Sequence, residues 1–188
     1  MRLEFPLELE ESWGPPSGLL ARRGGGISDR VRGALAWEGS LTRYLEAQWG
    51  HPVRVRLEEQ ESVATWPPGA ALWGEGTPPP ARGAVLLRTA WLHVEGEAMV
   101  FAHSQVSLAG LEEEVRQALV EGERPLGRLL SGGEGTLVRP RLELALAKAP
   151  FLADLTGRAR ESLFWCRRSL LSVDGTANAR ILEIFLQA

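Results

Sequence analysis

The chain has 188 residues, 44% of them hydrophobic and 24% charged, with a formal net charge of -3. That is enough chain to give one domain a full core and little for two, and the acidic balance argues against a protein that grips nucleic acid by neutralising phosphates. Cys166 is the single cysteine, which excludes an internal disulfide and a cysteine-rich zinc site. Lys148 is the single lysine, which removes most chemistry that needs a Schiff base or a P-loop lysine. His51, His93 and His103 are scattered and offer no metal-binding spacing. The acidic start Met1-Arg2-Leu3-Glu4-Phe5-Pro6 lacks the apolar core of a signal peptide. With no apolar run as long as a membrane span needs, the sequence predicts a soluble cytoplasmic protein.

Residues 1–26 alternate weakly and then run into Gly14-Pro15-Pro16-Ser17-Gly18 and Gly24-Gly25-Gly26, which reads as an N-terminal arm and a flexible joint. Ser28 caps a predicted helix with the inward stripe Val31, Ala34 and Leu35, and Gly39 is placed to end it in the left-handed conformation. Ser40 caps a second helix carrying Leu41, Tyr44 and Leu45 on one face, so residues 28–49 form a helix-turn-helix. Pro52 to Glu58 alternates strictly and predicts a strand. Residues 66–83, with Trp66-Pro67-Pro68-Gly69 and Pro78-Pro79-Pro80, predict a long surface loop. Gly83 to Val94 reads as a strand apolar on both faces, turning at Glu95-Gly96-Glu97 into a partner strand over 98–106. Leu111, Val115, Ala118 and Leu119 make a helical stripe stopped by Gly122, and Pro125 opens a second short helix, giving another helix-turn-helix. Arg141 to Ala147 alternates as a strand, 149–160 is a loop or short helix, and 163–173 with 179–186 flank Asp174-Gly175 as a final hairpin. The sum is α+β: a single antiparallel sheet of about six strands with two helical pairs, in one domain over 27–188.

Two residues break the apolar pattern. Arg88 sits amid Val85-Leu86-Leu87 and Thr89-Ala90-Trp91, and Glu183 amid Ile181-Leu182 and Ile184-Phe185. A buried charge needs compensation. One reading pairs the two inside the sheet, or pairs each with loop backbone. The other has both facing a ligand cavity, the guanidinium for a carboxylate and the carboxylate for a hydroxyl.

Several short blocks in order resemble the chorismate pyruvate-lyase family. They are Ser40-Leu41-Thr42-Arg43, the strand from Leu87-Arg88 to Glu95-Gly96-Glu97, Arg124-Pro125-Leu126-Gly127-Arg128-Leu129-Leu130, Arg167-Arg168-Ser169, and Leu182-Glu183-Ile184-Phe185-Leu186. The resemblance covers most of residues 35–188. It implies an antiparallel sheet with a buried cavity closed by two helix-turn-helix flaps, here 28–49 and 110–131. It also implies a lyase that takes chorismate to pyruvate and 4-hydroxybenzoate, a ubiquinone precursor, without metal or organic cofactor; a monomer is expected. Arg88 would hold the ring carboxylate and Glu183 would sit near the 4-oxygen. Groups at Leu41, Leu126, Gly127 and Arg128 would complete the contacts, and Arg43, Arg128 and Arg168 are the candidate cations for the side-chain carboxylate. Gly39, His103 and Gln187 depart from the family pattern. The competing readings are a non-catalytic domain of the same fold that senses a small aromatic carboxylate, and a structural protein with a buried ion pair.

Overall fold

The structure, a computed structural model, describes residues 6–67, 83–122, 124–130, 136–173 and 176–187. In chain order the described elements are β1 (Glu8–Gly14), α1 (Pro16–Arg23), α2 (Asp29–Ala36), α3 (Leu41–Trp49), β2 (Val53–Val63), β3 (Val85–Val94) and β4 (Glu97–Ser107). They continue with α4 (Glu113–Glu121), α5 (Leu126–Leu130), β5 (Leu137–Val138), β6 (Glu143–Lys148), α6 (Pro150–Thr156), β7 (Leu163–Val173) and β8 (Thr176–Phe185). The fold is α+β, with one antiparallel sheet ordered β1-β6-β7-β8-β4-β3-β2 and β5 paired to β7.

Among the described residues the sheet has eight strands where the sequence predicts about six. The additions are β1, which pairs with β6, and the two-residue β5. The segment read as an arm thus contains an edge strand and a helix whose Leu19 and Leu20 are buried. Pro16 stands at the start of α1, where its fixed φ suits a first helical turn and its missing N–H costs nothing.

The serine caps form as expected. Ser28 Oγ accepts from Val31 N at 3.3 Å and Ser40 Oγ from Arg43 N at 3.4 Å. Gly39 does not end α2: the helix stops at Trp37 in an extended conformation. A Cβ on Gly39 would lie 2.8 Å from Trp37 Nε1, so close approach of the indole, and not a left-handed turn, explains a glycine there. Gly122 does end α4 in the left-handed region, at φ 77°. The predicted turn at Asp174-Gly175, most of the proline-rich loop and Gly132-Gly133, expected from the sequence to end the short helix that Pro125 opens, lie outside the described residues.

Cross-strand register puts Arg88 opposite Ser104, Ala102 opposite Glu183, and Glu183 opposite Arg167. Side chains directly opposite share a face, so these residues all project from one side of the sheet. Helices α1, α2 and α3 pack on one part of that side through Leu19, Leu35, Leu41 and Leu45 against Val100, Leu144 and Phe185. Helices α4 and α5 pack on another part through Leu119 and Leu129 against Leu86, Val106, Leu171 and Ile181. The two apolar clusters leave a gap between them, and the charged residues stand in it. The reverse side is sealed by α6, whose Leu152 and Ala153 join Trp91, Phe101, Phe164, Cys166 and Ile184.

Candidate functional site

Arg88 stands mid-strand in β3 and is 3% exposed. Its Nη2 donates to the carbonyl of Gly122 and, at 3.2 Å, to that of Arg124. These carbonyls lie where α4 ends, so the guanidinium sits at the negative end of a helix dipole. Arg88 Nε is buried with no hydrogen-bond partner, and among the described residues Arg88 has no carboxylate partner. Burial lowers its pKa from the ordinary arginine value.

Glu183, on β8, is also 3% exposed but is heavily paired. Arg139, just past β5, meets it with a two-point fork, Nη2 to Oε1 at 3.0 Å and Nη1 to Oε2 at 3.2 Å. Arg167, on β7, donates from Nε to Oε2 at 2.7 Å. The arginines are anchored in turn. Arg139 Nη1 donates to Ser169 Oγ and its Nε to the Gly39 carbonyl, both at 3.0 Å. Arg167 Nη1 donates to the carbonyls of Ala34 and Trp37 at the end of α2. Burial would raise the Glu183 carboxyl pKa, but Arg139 and then Arg167 more than offset it, and the net direction is down. Burial lowers the Arg167 pKa to about 10 against the pull of Glu183. Two guanidinium groups around one carboxylate leave this cluster with a net positive charge.

Between the two ends lies a cavity lined by both Arg88 and Glu183. It measures about 60 Å³, taken as the space open to the centre of a water-sized sphere, several times what one water requires. Val55, Ala90, Leu92, Ala102, Leu171 and Ile181 give it apolar walls. Ser40, Leu41 and Thr42 at the start of α3, with Pro125, Leu126 and Gly127 at the start of α5, form its cover. Both helix starts thus stand at the cavity wall. The helical pairs meet over it. A Cβ on Gly127 would lie 3.5 Å from Ser40 Oγ, and Arg128 on α5 forms an ion pair with Glu46 on α3.

The comparisons with known proteins bear on this geometry. Residues 35–188 match the model of a family described as chorismate pyruvate-lyase Rv2949c-like. The chain belongs to that family. No curated protein matches it. Solved structures extend the likeness in fold. The effector domain of PhnF from Mycobacterium smegmatis is 16% identical, with a TM-score of 0.56 over 78% of this chain and 88% of that one. A structure of PhnF from the same organism is 18% identical, with a TM-score of 0.55 over 79% of this chain and 64% of that one. The ligand-binding domain of a GntR-family transcriptional regulator from Bordetella bronchiseptica is 18% identical, with a TM-score of 0.52 over 71% of this chain and 84% of that one. The family name denotes a lyase and these neighbours are regulator domains, so fold alone does not decide between turnover and sensing.

Of the family-like residues picked out in the sequence, Arg88, Glu183, Leu41, Leu126 and Gly127 line one cavity. Strand β4 separates β3 from β8, so the two charges come from next-nearest strands and do not pair with each other. Arg128 is not among the lining residues; it is half-exposed and engaged with Glu46. Arg43 is exposed. Arg168 faces the reverse side of the sheet, bonding Glu143 at 2.7 Å and stacking over Trp13. The second cation at the cavity is Arg139, which the sequence reading passed over. Arg167 carried the signature of Arg88, a charge within the apolar run Phe164-Trp165-Cys166, and cross-strand parity with Glu183 would have favoured it over Arg168. No comparable pattern surrounds Arg139. Among the described residues no group of three or more His, Cys, Asp or Glu side chains is placed to hold a metal, and no described helix is long and apolar enough to cross a membrane.

Proposed function

We propose that the chain is a chorismate pyruvate-lyase, eliminating pyruvate from chorismate to leave 4-hydroxybenzoate in the cavity between Arg88 and Glu183. The observation that carries this reading is Arg88, a buried guanidinium on the cavity wall that is held by carbonyls and has no carboxylate partner among the described residues. A ring carboxylate would complete its pairing. The ring would lie between Ala90, Ala102, Leu171 and Ile181, with its far end at Glu183. Glu183 Oε1 accepts only one of the hydrogen bonds described, from Arg139, so it keeps a lone pair for the 4-hydroxyl.

The reaction asks little acid–base chemistry of such a site. The C3–O bond breaks, the hydrogen on C4 leaves, and the ring becomes aromatic. That hydrogen ends on the methylene carbon of the released enolpyruvyl group, giving pyruvate. A carboxylate clamped by two arginines, with its pKa lowered, is a weak base, and the hydrogen passes within the bound substrate. The protein contributes orientation, charge complementarity and exclusion of water.

Incubation with chorismate tests this reading directly. Equimolar 4-hydroxybenzoate and pyruvate, formed faster than by spontaneous decay, are expected. Tight binding of 4-hydroxybenzoate without turnover would instead establish the sensing role that the fold's likeness to effector domains favours.

A further inference from the structure

The charges at the cavity do not balance for a ligand with one carboxylate. Arg88, Arg139 and Arg167 contribute three positive charges, and Glu183 contributes one negative. A benzoate seated on Arg88 neutralises only the first end. The Arg139–Glu183–Arg167 cluster keeps its net positive charge, in surroundings where Arg139 is 7% exposed, Glu183 3% and Arg167 0%.

Within that cluster only Arg139 can offer a cationic donor to the cavity. Arg167 is fully buried and is not a lining residue: Nε is spent on Glu183, Nη1 on two carbonyls, and Nη2, without a hydrogen bond among the described residues, lies 2.7 Å from Glu183 Oε2. Arg139 does line the cavity. Its Nε is used by Gly39, its Nη1 by Ser169 and Glu183, and its Nη2 by Glu183 once. A guanidinium carries five N–H donors, so one N–H on Nη2 is left without a described partner.

We propose that Arg139 is the receptor for a second carboxylate, and hence the residue that selects two-carboxylate substrates over simple benzoates. The inference rests on the cavity reading above and sharpens its substrate class. The ligand is a six-membered ring with one carboxylate for Arg88 and a short ether-linked chain carrying another for Arg139. The fork to Glu183 and the bond to Ser169 fix the guanidinium plane before the ligand arrives, so little entropy is lost in using it.

The test compares two stable aromatic ligands by calorimetry on the full chain: 3-(carboxymethoxy)benzoate, with two carboxylates, and 3-methoxybenzoate, with one. Wild type is expected to bind the first at least about tenfold more tightly. In Arg139→Gln that preference should shrink to within about twofold. Should Arg139→Gln fail to fold, Arg139→Lys serves in its place. It keeps the charge and loses the fork, and is expected to reduce the preference. Equal affinity of wild type for both ligands, or a preference that survives in the Arg139 variants, would overturn this assignment while leaving the cavity reading intact. If neither ligand bound wild type, the cavity reading would fall and the Arg139 assignment with it.

Discussion

The two ends of the cavity solve the problem of a buried charge in opposite ways. At one end Arg88 rests on backbone carbonyls of Gly122 and Arg124 and leaves Nε unbonded. At the other, Glu183 is held by two arginines through both of its oxygens. A carboxylate so tightly enclosed is structural, because removing it strands two cations. A guanidinium supported only by dipoles is the weaker investment for folding and the better one for binding. The contrast separates residues that hold the cavity's shape from the one proposed to receive a ligand.

The sharpest way to break that contrast is to neutralise each end in turn. Glu183→Gln leaves Arg139 and Arg167 facing each other without an acid, and should cost roughly 3–5 kcal/mol of stability by chemical denaturation. Arg88→Met removes a charge with no carboxylate partner and should change stability by less than about 1 kcal/mol, the lost carbonyl bonds being offset by the charge no longer buried. Equal losses in the two variants would erase the distinction.

Acid unfolding sharpens it further, because the two faces of the sheet titrate in different windows. His103 is wholly buried on the reverse face beside Thr89, and burial lowers its pKa from 6.5 to about 4. Between those values the unfolded chain binds a proton that the native chain does not. Stability is therefore full above pH 6.5 and falls as pH drops towards 4, by roughly 3 kcal/mol in all. Glu183 acts lower down. Its lowered carboxyl pKa stabilises the native state above the unfolded value of about 4.3, and that support is lost as pH falls through the folded value. His103→Gln should flatten the first window and leave the second unchanged, as read from denaturation curves at successive pH values.

The smallest effect belongs to the bridge over the cavity. Arg128→Ala breaks the half-exposed pair with Glu46 and should cost about 0.5 kcal/mol or less, shrinking as salt is added. A loss of several kcal/mol would mean that the helical pairs depend on this bridge more than on their apolar contacts.

Much of the architecture was legible because burial writes itself into alternation. β3, β4, β7 and β8 are long and largely buried, and their apolar runs made Arg88 and Glu183 conspicuous. β1 was missed because it is an edge strand whose residues are mostly exposed, so its pattern is faint. α1 was missed because prolines that signal a break also open helices. Strand order beyond the two hairpins was not legible, since hairpins reveal only which neighbours follow in the chain, and β4 pairs with both β3 and β8. Arg139 lies between Val138 and Pro140, beside a strand too short to show a period. Its role depends on β5 pairing with β7, which brings it to Ser169 and Glu183.

The claim that Arg88 is the ligand's anchor is tested most directly by thermal unfolding of wild type and Arg88→Met, each with and without saturating 4-hydroxybenzoate. The account predicts a Tm that climbs with ligand concentration in wild type and stays flat in the variant. Equal rises in both proteins, or none in either, would contradict it.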